Sequence, residues 1–258
     1  MTEKRMLQFS DLAESEETTN LETTARLAGT ESWLPKIITA LFHLLYFQGP
    51  KTDVSTPEGE AKSFAWTVFF QAPHSIRACY LLQTRGYYLE ASFTLRFLIE
   101  ALVRIEYARK NPNKTSDVWY DKTRAGKPSR VKVRTIFLDI APDLYDQIYG
   151  LLSSGLHGKF GFSIFRINRR SQTETDVVYG NQYDEKFASY INNLLLTASL
   201  AYLRRFPHHF PEGWAGAKVI RPEYDAVIDW LETFQKELME VNPKTKKLFS
   251  DFGCLLDR

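Results

Sequence analysis

A histidine that follows two serines is the pattern in this sequence best suited to chemistry. His157 stands in the segment YGLLSSGLHGKFG, after Ser153 and Ser154. If a helix ends there, this spacing places a hydroxyl beside the imidazole, and both serines become candidates for ligand binding. Histidine titrates near neutral pH and can act as a general acid or base. The alternative is a plain helix end, with Gly155 or Gly158 in a left-handed conformation and the histidine as a cap.

The second candidate is a predicted helix with charges along one face. The face opposite its apolar side, which we call the charged stripe, carries Glu90, Phe93, Arg96, Phe97, Glu100, Arg104 and Tyr107. Arg96 and Arg104 each lie four residues from Glu100, close enough for side-chain pairing. A catalytic His157 would need an arginine or lysine to stabilise developing charge, and Arg96, Arg77 or Lys159 could serve. We expect Arg96, together with Glu100, to be its first partner.

Three interpretations of the charged stripe stay open at this point. A solvated outer face would carry ion pairs that contribute about 0.5 kcal/mol or less each, although large rings seldom alternate with charges on such a face. A buried network would need every charge satisfied, because a buried unpaired charge costs several kcal/mol. The third interpretation is a ligand-binding or catalytic site.

Other residues have the chemistry to bind a ligand or a phosphate. His74 stands beside a proline, with Arg77 one turn later on the same helix face. The segment KTRAGKPSRVKVR, residues 122–134, holds six basic residues and no acidic one. It is either a solvated loop or a local phosphate-binding patch. The residues assigned to such a patch are Lys127, Arg130 and Lys132.

Composition narrows the class of protein. The 33 basic and 31 acidic side chains give a net charge of +2, so no global field attracts nucleic acid or an acidic membrane. The longest apolar runs fall short of the ~20 residues of a membrane span. We expect no metal and no cofactor, since the sequence has no HExxH segment and no cysteine cluster. Its two cysteines, Cys79 and Cys254, favour a reducing, cytoplasmic setting, with Cys79 buried as a small hydrophobic residue.

Helical periodicity dominates the chain and predicts a mainly α, single-domain helical bundle. Residues 1–31 are rich in Glu and Thr and poor in large apolar groups, which predicts a flexible N-terminal arm ahead of a bundle domain over 32–258, with a short exposed helix in this arm as the alternative. Predicted helices cover about 32–47, 58–85, 86–110, 131–141, 143–156, 184–206 and 222–241.

Glycine and proline residues mark the predicted connections. Gly86 joins two long helices that we expect to form an antiparallel hairpin. Pro73 either kinks or divides the first of them, and Pro207 is expected to end the helix that begins near 184. Residues of about 162–180 are predicted to form one small β-hairpin.

Two segments carry a resemblance to known proteins. LLQTRGYYLEASFTLRFLIEALVRIEYARKNP and the later YDQIYGLLSSGLHG, within about residues 77–160, resemble uncharacterised prokaryotic all-helical families near the HEPN-like superfamily. The resemblance implies a helical bundle that binds or cleaves RNA without metal, or binds nucleotides. The ribonuclease signature of that superfamily, an Arg four to six residues before a His on one helix, is not intact. No Arg closely precedes His157, and Pro207 interrupts the suitably spaced Arg204 and His209.

Three classes of function remain. The first is a HEPN-like protein that acts on RNA or a nucleotide. The second is a non-enzymatic module that binds a small ligand between the aromatic and charged groups. The third is a homo-oligomeric interaction protein, with the charged stripe as a homodimer interface. None of the three requires a membrane.

Overall fold

The chain folds mainly into α-helices, as its periodicity predicts. The computed structural model describes residues 9–48, 53–119, 131–145, 149–150, 152, 167–169, 175–177, 183–216, 218, 220–241 and 252–256. Its helices are α1 (Phe9–Arg26), α2 (Ala28–Gln48), α3 (Pro57–Thr84), α4 (Tyr88–Lys110), α5 (Thr115–Trp119), α6 (Val133–Ile140), α7 (Pro142–Leu144), α8 (Glu185–His209), α9 (Pro211–Gly216), α10 (Arg221–Val241) and α11 (Gly253–Leu256). Strands β1 (Ile167–Arg169) and β2 (Thr175–Val177) pair antiparallel, with Asn168 opposite Asp176.

Helix α3 has well-defined ends. Its N-cap Thr56 accepts a hydrogen bond from the Gly59 N–H at 3.0 Å, and Pro57 occupies the first turn, where no N–H is needed. At the other end Gly86 has a φ of 81°, which favours glycine. The N–H groups of Gly86 and Tyr87 donate to carbonyls of the last turn of α3. The chain then enters α4, which packs along α3.

The core forms around α8, which is buried nearly all round. The helix predicted over 184–206 is confirmed. Tyr202 is fully buried, and its hydroxyl donates to the Leu98 carbonyl of α4 at 2.9 Å. The Phe69 ring of α3 meets the Tyr202 and Phe206 rings edge to face, a favoured arrangement for aromatic pairs. Cys79 is also fully buried, as predicted.

Proline residues lie inside three long helices without dividing them: Pro35 in α2, Pro73 in α3 and Pro207 in α8. α3 is one helix across Pro73, and α8 continues through Pro207 to His209. The prediction that Pro207 ends the helix is therefore wrong. A proline leaves the carbonyl four residues earlier without its N–H partner. Here that carbonyl belongs to Leu203, and the Tyr224 hydroxyl of α10 donates to it at 2.8 Å.

The range predicted as a flexible arm contains α1, which is a correction. Thr19 and Thr23 of α1 are buried, and the Tyr87 hydroxyl donates to Glu16. The buried face of α1 consists of small polar side chains, so no apolar periodicity reveals it in the sequence. α2 also begins at Ala28, earlier than expected.

The helix predicted over 143–156 is only partly described by the structure. For the helix predicted over 143–156, the structure gives α7, which ends at Leu144, and otherwise describes only 145, 149, 150 and 152 of that range. Within the described ranges, no helix combines the length and apolarity that crossing a bilayer requires.

Candidate functional site

The charged stripe of α4 forms a hydrogen-bonded cluster around Glu100. The Arg104 Nε and Nη2 donate to Glu100 Oε1 at 2.9 and 2.7 Å, and its Nη1 donates to the Val118 carbonyl at 2.8 Å. Arg96 Nη2 lies 3.6 Å from Glu100 Oε2. Both ion pairs predicted from the four-residue spacing are therefore present. The bond to Val118 also ties α4 to α5.

Tyr149 completes this cluster from the segment after α7. Arg96 Nη2 donates to the Tyr149 hydroxyl at 2.6 Å, and that hydroxyl donates to Glu100 Oε2 at 2.9 Å. The Arg96 guanidinium also lies over the Tyr149 ring, 4.7 Å from its centroid. Burial raises the pKa of Tyr149, while the hydrogen bond from Arg96 lowers it, and the net direction is upward. The hydroxyl therefore keeps its proton and can bridge the two charges.

Exposure decides between the interpretations of the stripe. The side chains of Arg96, Glu100 and Arg104 are 22, 18 and 25% exposed. A fully solvated face is therefore wrong, and the charges form a largely covered network open along one edge. Tyr107 is buried as part of the core, whereas Phe97 is half-exposed.

The open edge of the stripe faces a cleft between α3, α4 and α5. The cleft has a volume of about 330 Å³. Its polar lining comes from Thr67, Gln71, Glu100 and Arg104. The apolar lining consists of Phe64, Val68, Phe97, Ala101, Val118 and Trp119. A surface of this kind, mostly apolar with a few polar groups, is typical of small-ligand sites.

Among the predicted site residues that the structure describes, Glu100 lines the cleft and Arg96 does not. His157, Ser153, Ser154, Lys127 and Arg130 lie outside the described residues, so their predicted roles stay predictions. Lys132 is exposed, directly before α6.

His74 and Arg77 lie on the exposed face of α3. The His74 ring contacts the rings of Phe42 and Phe70. Neither His74 nor Arg77 lines the cleft.

A second charged cluster, around Glu106, escaped the sequence analysis. His209 Nε2 donates to Glu106 Oε1 at 3.0 Å, and Arg109 donates to Oε2 through Nε and Nη2 at 3.1 and 2.9 Å. Arg205 Nε lies 3.7 Å from Oε1. We call these four residues the Glu106 network. The sequence does indicate that Glu106 is unusual. At 100° per residue it falls within the apolar face of α4, where a charged side chain needs buried partners.

Protonation in the Glu106 network follows from burial and charge. Burial acts to raise the pKa of Glu106, but the hydrogen bond from His209 and the charges of His209, Arg205 and Arg109 outweigh it and lower the pKa to about 2. Burial lowers the pKa of His209, more than the hydrogen bond to Glu106 raises it. The favoured state is a neutral imidazole that donates to an ionised carboxylate.

This network bears on the ribonuclease signature. Arg204 and His209 lie on one continuous helix, so the expected interruption at Pro207 is absent. However, the His209 side chain is only 3% exposed and its Nε2 is engaged by Glu106. A general acid or base must come within hydrogen-bond reach of its substrate. We therefore assign His209 a structural role.

Neither a group of metal-binding side chains in the described structure nor similarity to a known protein indicates what the cleft binds. Within the described part of the chain, no three His, Cys, Asp or Glu side chains are grouped so that they could hold a metal ion. Comparison of the chain with protein-family models, with curated proteins and with solved structures finds no match. The resemblance to HEPN-like families therefore stays a prediction.

Proposed function

We propose that this protein binds a nucleotide in the cleft between α3, α4 and α5. The observation that carries the proposal is the guanidinium of Arg104, held by Glu100 beside aromatic rings in a single cleft. Arg96 and Arg104 share Glu100. These three side chains together carry one net positive charge, and Arg104 brings a guanidinium to the cleft wall, on a protein that is nearly neutral overall. A negatively charged ligand group is favoured there.

Arg104 is the residue best placed to meet a phosphate. A guanidinium has five N–H donors in a fixed fork. Three contacts of Arg104 go to Glu100 and Val118, from Nε, Nη1 and Nη2. One N–H on each terminal nitrogen has no partner among the described residues. Because Glu100 and Val118 already fix the side chain, little further ordering is needed for it to bind an oxyanion.

The rings of the cleft suit a nucleobase. Phe64 and Trp119 stack with centroids 5.3 Å apart, and Trp119 lines the cleft together with half-exposed Phe97. Stacking of a base on an aromatic side chain contributes about 1–3 kcal/mol. The Gln71 amide can accept and donate hydrogen bonds at a base edge.

The cleft volume favours a mononucleotide over an RNA chain. At about 330 Å³ the cleft is at the lower end of the range for small-molecule pockets, which is roughly 300–1,000 Å³. A single nucleotide can be enclosed at this size, whereas an oligonucleotide would have to continue beyond it.

Calorimetric titration with AMP, ADP and ATP at low salt tests the proposal. We expect binding that weakens as salt is added, since phosphate contacts are electrostatic. Arg104→Gln should weaken binding roughly tenfold or more, because a charge-assisted hydrogen bond to the ligand is lost. The matched control is Arg26→Gln, which removes an exposed guanidinium that is also paired four residues away, with Glu22 on α1.

A second variant separates loss of binding from loss of fold. Phe97→Ser alters a half-exposed ring that lines the cleft, so it should weaken binding while leaving the melting temperature nearly unchanged. The proposal is wrong if none of the three nucleotides binds at millimolar concentration. It is also wrong if Phe97→Ser and Arg104→Gln bind as tightly as the parent and the Arg26→Gln control.

Catalysis, RNA binding by the basic segment and the two hairpins remain predictions in addition to this proposal. Catalysis by His157 with Arg96 and Glu100 predicts an activity on RNA that His157→Ala abolishes. Phosphate contacts by Lys127, Arg130 and Lys132 predict salt-dependent RNA binding that weakens when these charges are neutralised. The antiparallel hairpin of α3 and α4 is supported by the three-residue connection between them, and the small β-hairpin by the pairing of β1 with β2.

A further inference from the structure

The hydroxyl of Tyr149 links two charges beside the cleft, although Tyr149 does not itself line the cleft. It accepts a hydrogen bond from Arg96 Nη2 at 2.6 Å and donates one to Glu100 Oε2 at 2.9 Å. Arg96 Nη2 and Glu100 Oε2 are 3.6 Å apart, which is beyond the usual length of a hydrogen bond. The hydroxyl therefore provides the hydrogen-bonded connection between these two side chains.

Glu100 divides its two carboxylate oxygens between this connection and the cleft. Its Oε1 accepts hydrogen bonds from Nε and Nη2 of Arg104, whereas its Oε2 accepts one from the Tyr149 hydroxyl. Hydrogen bonds on both oxygens fix the plane of a carboxylate. The orientation of the Arg104 guanidinium at the cleft wall therefore depends on the contact that Tyr149 makes on the other side of Glu100.

The ring of Tyr149 is fixed by the aromatic side chains around it. Its centroid lies 4.5 Å from that of Phe137 on α6 and 5.6 Å from that of Tyr145. Phe137 is fully buried and Tyr149 is 7% exposed. A side chain whose rotamer is locked by packing holds its polar group in one place. The hydroxyl is therefore a fixed support for Glu100.

Removal of the Tyr149 hydroxyl would change which arginine holds Glu100. Arg96 Nε is buried and has no hydrogen-bond partner among the described residues, so without the hydroxyl the Arg96 guanidinium would lose a needed acceptor. A covered charge gains stability from an acceptor within reach, and Glu100 Oε2 lies 3.6 Å away. Arg96 would then compete with Arg104 for the same carboxylate.

We propose that Tyr149 is a positioning residue that controls the affinity of the cleft for the phosphate of a nucleotide. This inference rests on the proposed nucleotide binding. Tyr149 satisfies Arg96, so Glu100 holds Arg104 in one orientation and the remaining N–H groups of Arg104 stay available to an oxyanion. The phosphate contact is thereby regulated from outside the cleft, because any change that displaces Tyr149 releases Glu100.

A double-mutant cycle measured by calorimetry tests this role. The probe is whichever of AMP, ADP and ATP binds the parent most tightly. Tyr149→Phe keeps the ring and removes the hydroxyl, and it should weaken binding roughly fivefold. In the Arg104→Gln background the same change should alter affinity by less than about twofold, because there is no guanidinium left to position. A general loss of packing would instead weaken binding equally in both backgrounds.

Tyr87→Phe is the matched control for the loss of a hydroxyl. The Tyr87 hydroxyl also donates to a glutamate, Glu16 of α1, and Tyr87 does not line the cleft. This variant should bind the nucleotide as the parent does.

Three results would overturn the role of Tyr149 while leaving nucleotide binding intact. In the first, Tyr149→Phe binds the nucleotide at least as tightly as the parent. In the second, its loss of affinity is the same in both backgrounds, and in the third, Tyr87→Phe weakens binding as much. If the parent binds none of the three nucleotides, the proposed function fails together with this inference.

Discussion

At the scale of the residue, two glutamates on the same helix have different roles because their surroundings differ. Glu100 lies at the edge of a cleft, with two arginines and a tyrosine hydroxyl around it. Glu106 lies inside the bundle, where His209 and Arg109 satisfy its oxygens. A group at a cleft edge can exchange a protein partner for a ligand. A group that is 4% exposed cannot, and it instead fixes how α4 and α8 pack.

Substitution of Glu106 should destabilise the protein strongly. Glu106→Gln keeps the shape of the side chain but leaves Arg109 and Arg205 without the anion that compensates them. We expect the free energy of unfolding at pH 7 to fall by about 3 kcal/mol, as measured by urea denaturation.

The control for this measurement is an exposed carboxylate in a similar pair. Glu22→Gln breaks the pair with Arg26 on α1, whose members are about half-exposed. It should change the free energy of unfolding by less than about 1 kcal/mol. Equal effects of the two substitutions would contradict a structural role for the Glu106 network.

At the scale of the element, the start of α3 depends on the absence of a side chain at one position. A Cβ at Gly59 would lie 1.6 Å from the Asp53 carbonyl oxygen, so the turn that carries the Thr56 cap would have to move. Gly59→Ala should therefore lower the free energy of unfolding by about 3 kcal/mol. Thermal and urea unfolding of the variant measure the change.

Gly29 on α2 provides the matched comparison. A Cβ there meets no atom within 4 Å, so Gly29→Ala should stabilise the protein by about 0.5–1 kcal/mol through helix propensity alone. If both glycine variants shift the stability in the same direction, the crowding at Gly59 is not what limits that position.

Elements with large apolar faces could be predicted from the sequence, and elements without them could not. α10 has an apolar and a charged side, and its observed bounds lie within one residue of the prediction. α1 buries threonines, so apolar periodicity does not reveal it. The continuation of α8 through Pro207 could not be predicted for a related reason. The hydroxyl that compensates for its missing N–H comes from Tyr224, on an element that local sequence rules do not consider.

At the scale of the whole molecule, stability should fall in acid in two stages. Burial lowers the pKa of His209 below its ordinary 6.5, so the unfolded chain takes up this proton first and stability begins to fall as the pH drops below about 6.5. The pKa of Glu106 is lowered from 4.5 to about 2. Its contribution of about 3 kcal/mol is present above pH 4.5 and is lost as the pH falls towards 2.

Melting temperatures measured from pH 7 down to pH 3 check this dependence. Glu106→Gln should flatten the lower part of the curve, and His209→Gln the part just below pH 6.5. A parent curve that is flat between pH 7 and pH 4, or variants that leave its slope unchanged, would contradict the assigned protonation states.

Only those contacts of the candidate site that lie within a single helix could be predicted from the sequence. The pairs of Glu100 with Arg96 and Arg104 follow from their spacing on α4. Tyr149 lies 53 residues from Arg96, and His209 lies 103 residues from Glu106. Contacts at such separations depend on how the helices pack, which periodicity does not specify. The sequence thus indicated one wall of the cleft but not the opposite wall or the tyrosine that closes the stripe.

The hydrogen bond from Tyr224 to the carbonyl freed by Pro207 makes two helices thermodynamically interdependent. If α10 separates from the bundle, the buried Leu203 carbonyl loses a donor that its own helix cannot replace. The turn weakened in this way is the one that presents His209 to Glu106. Detachment of a surface helix and loosening of the innermost charged contacts should therefore occur as one cooperative opening, with shared protection of their amides against solvent.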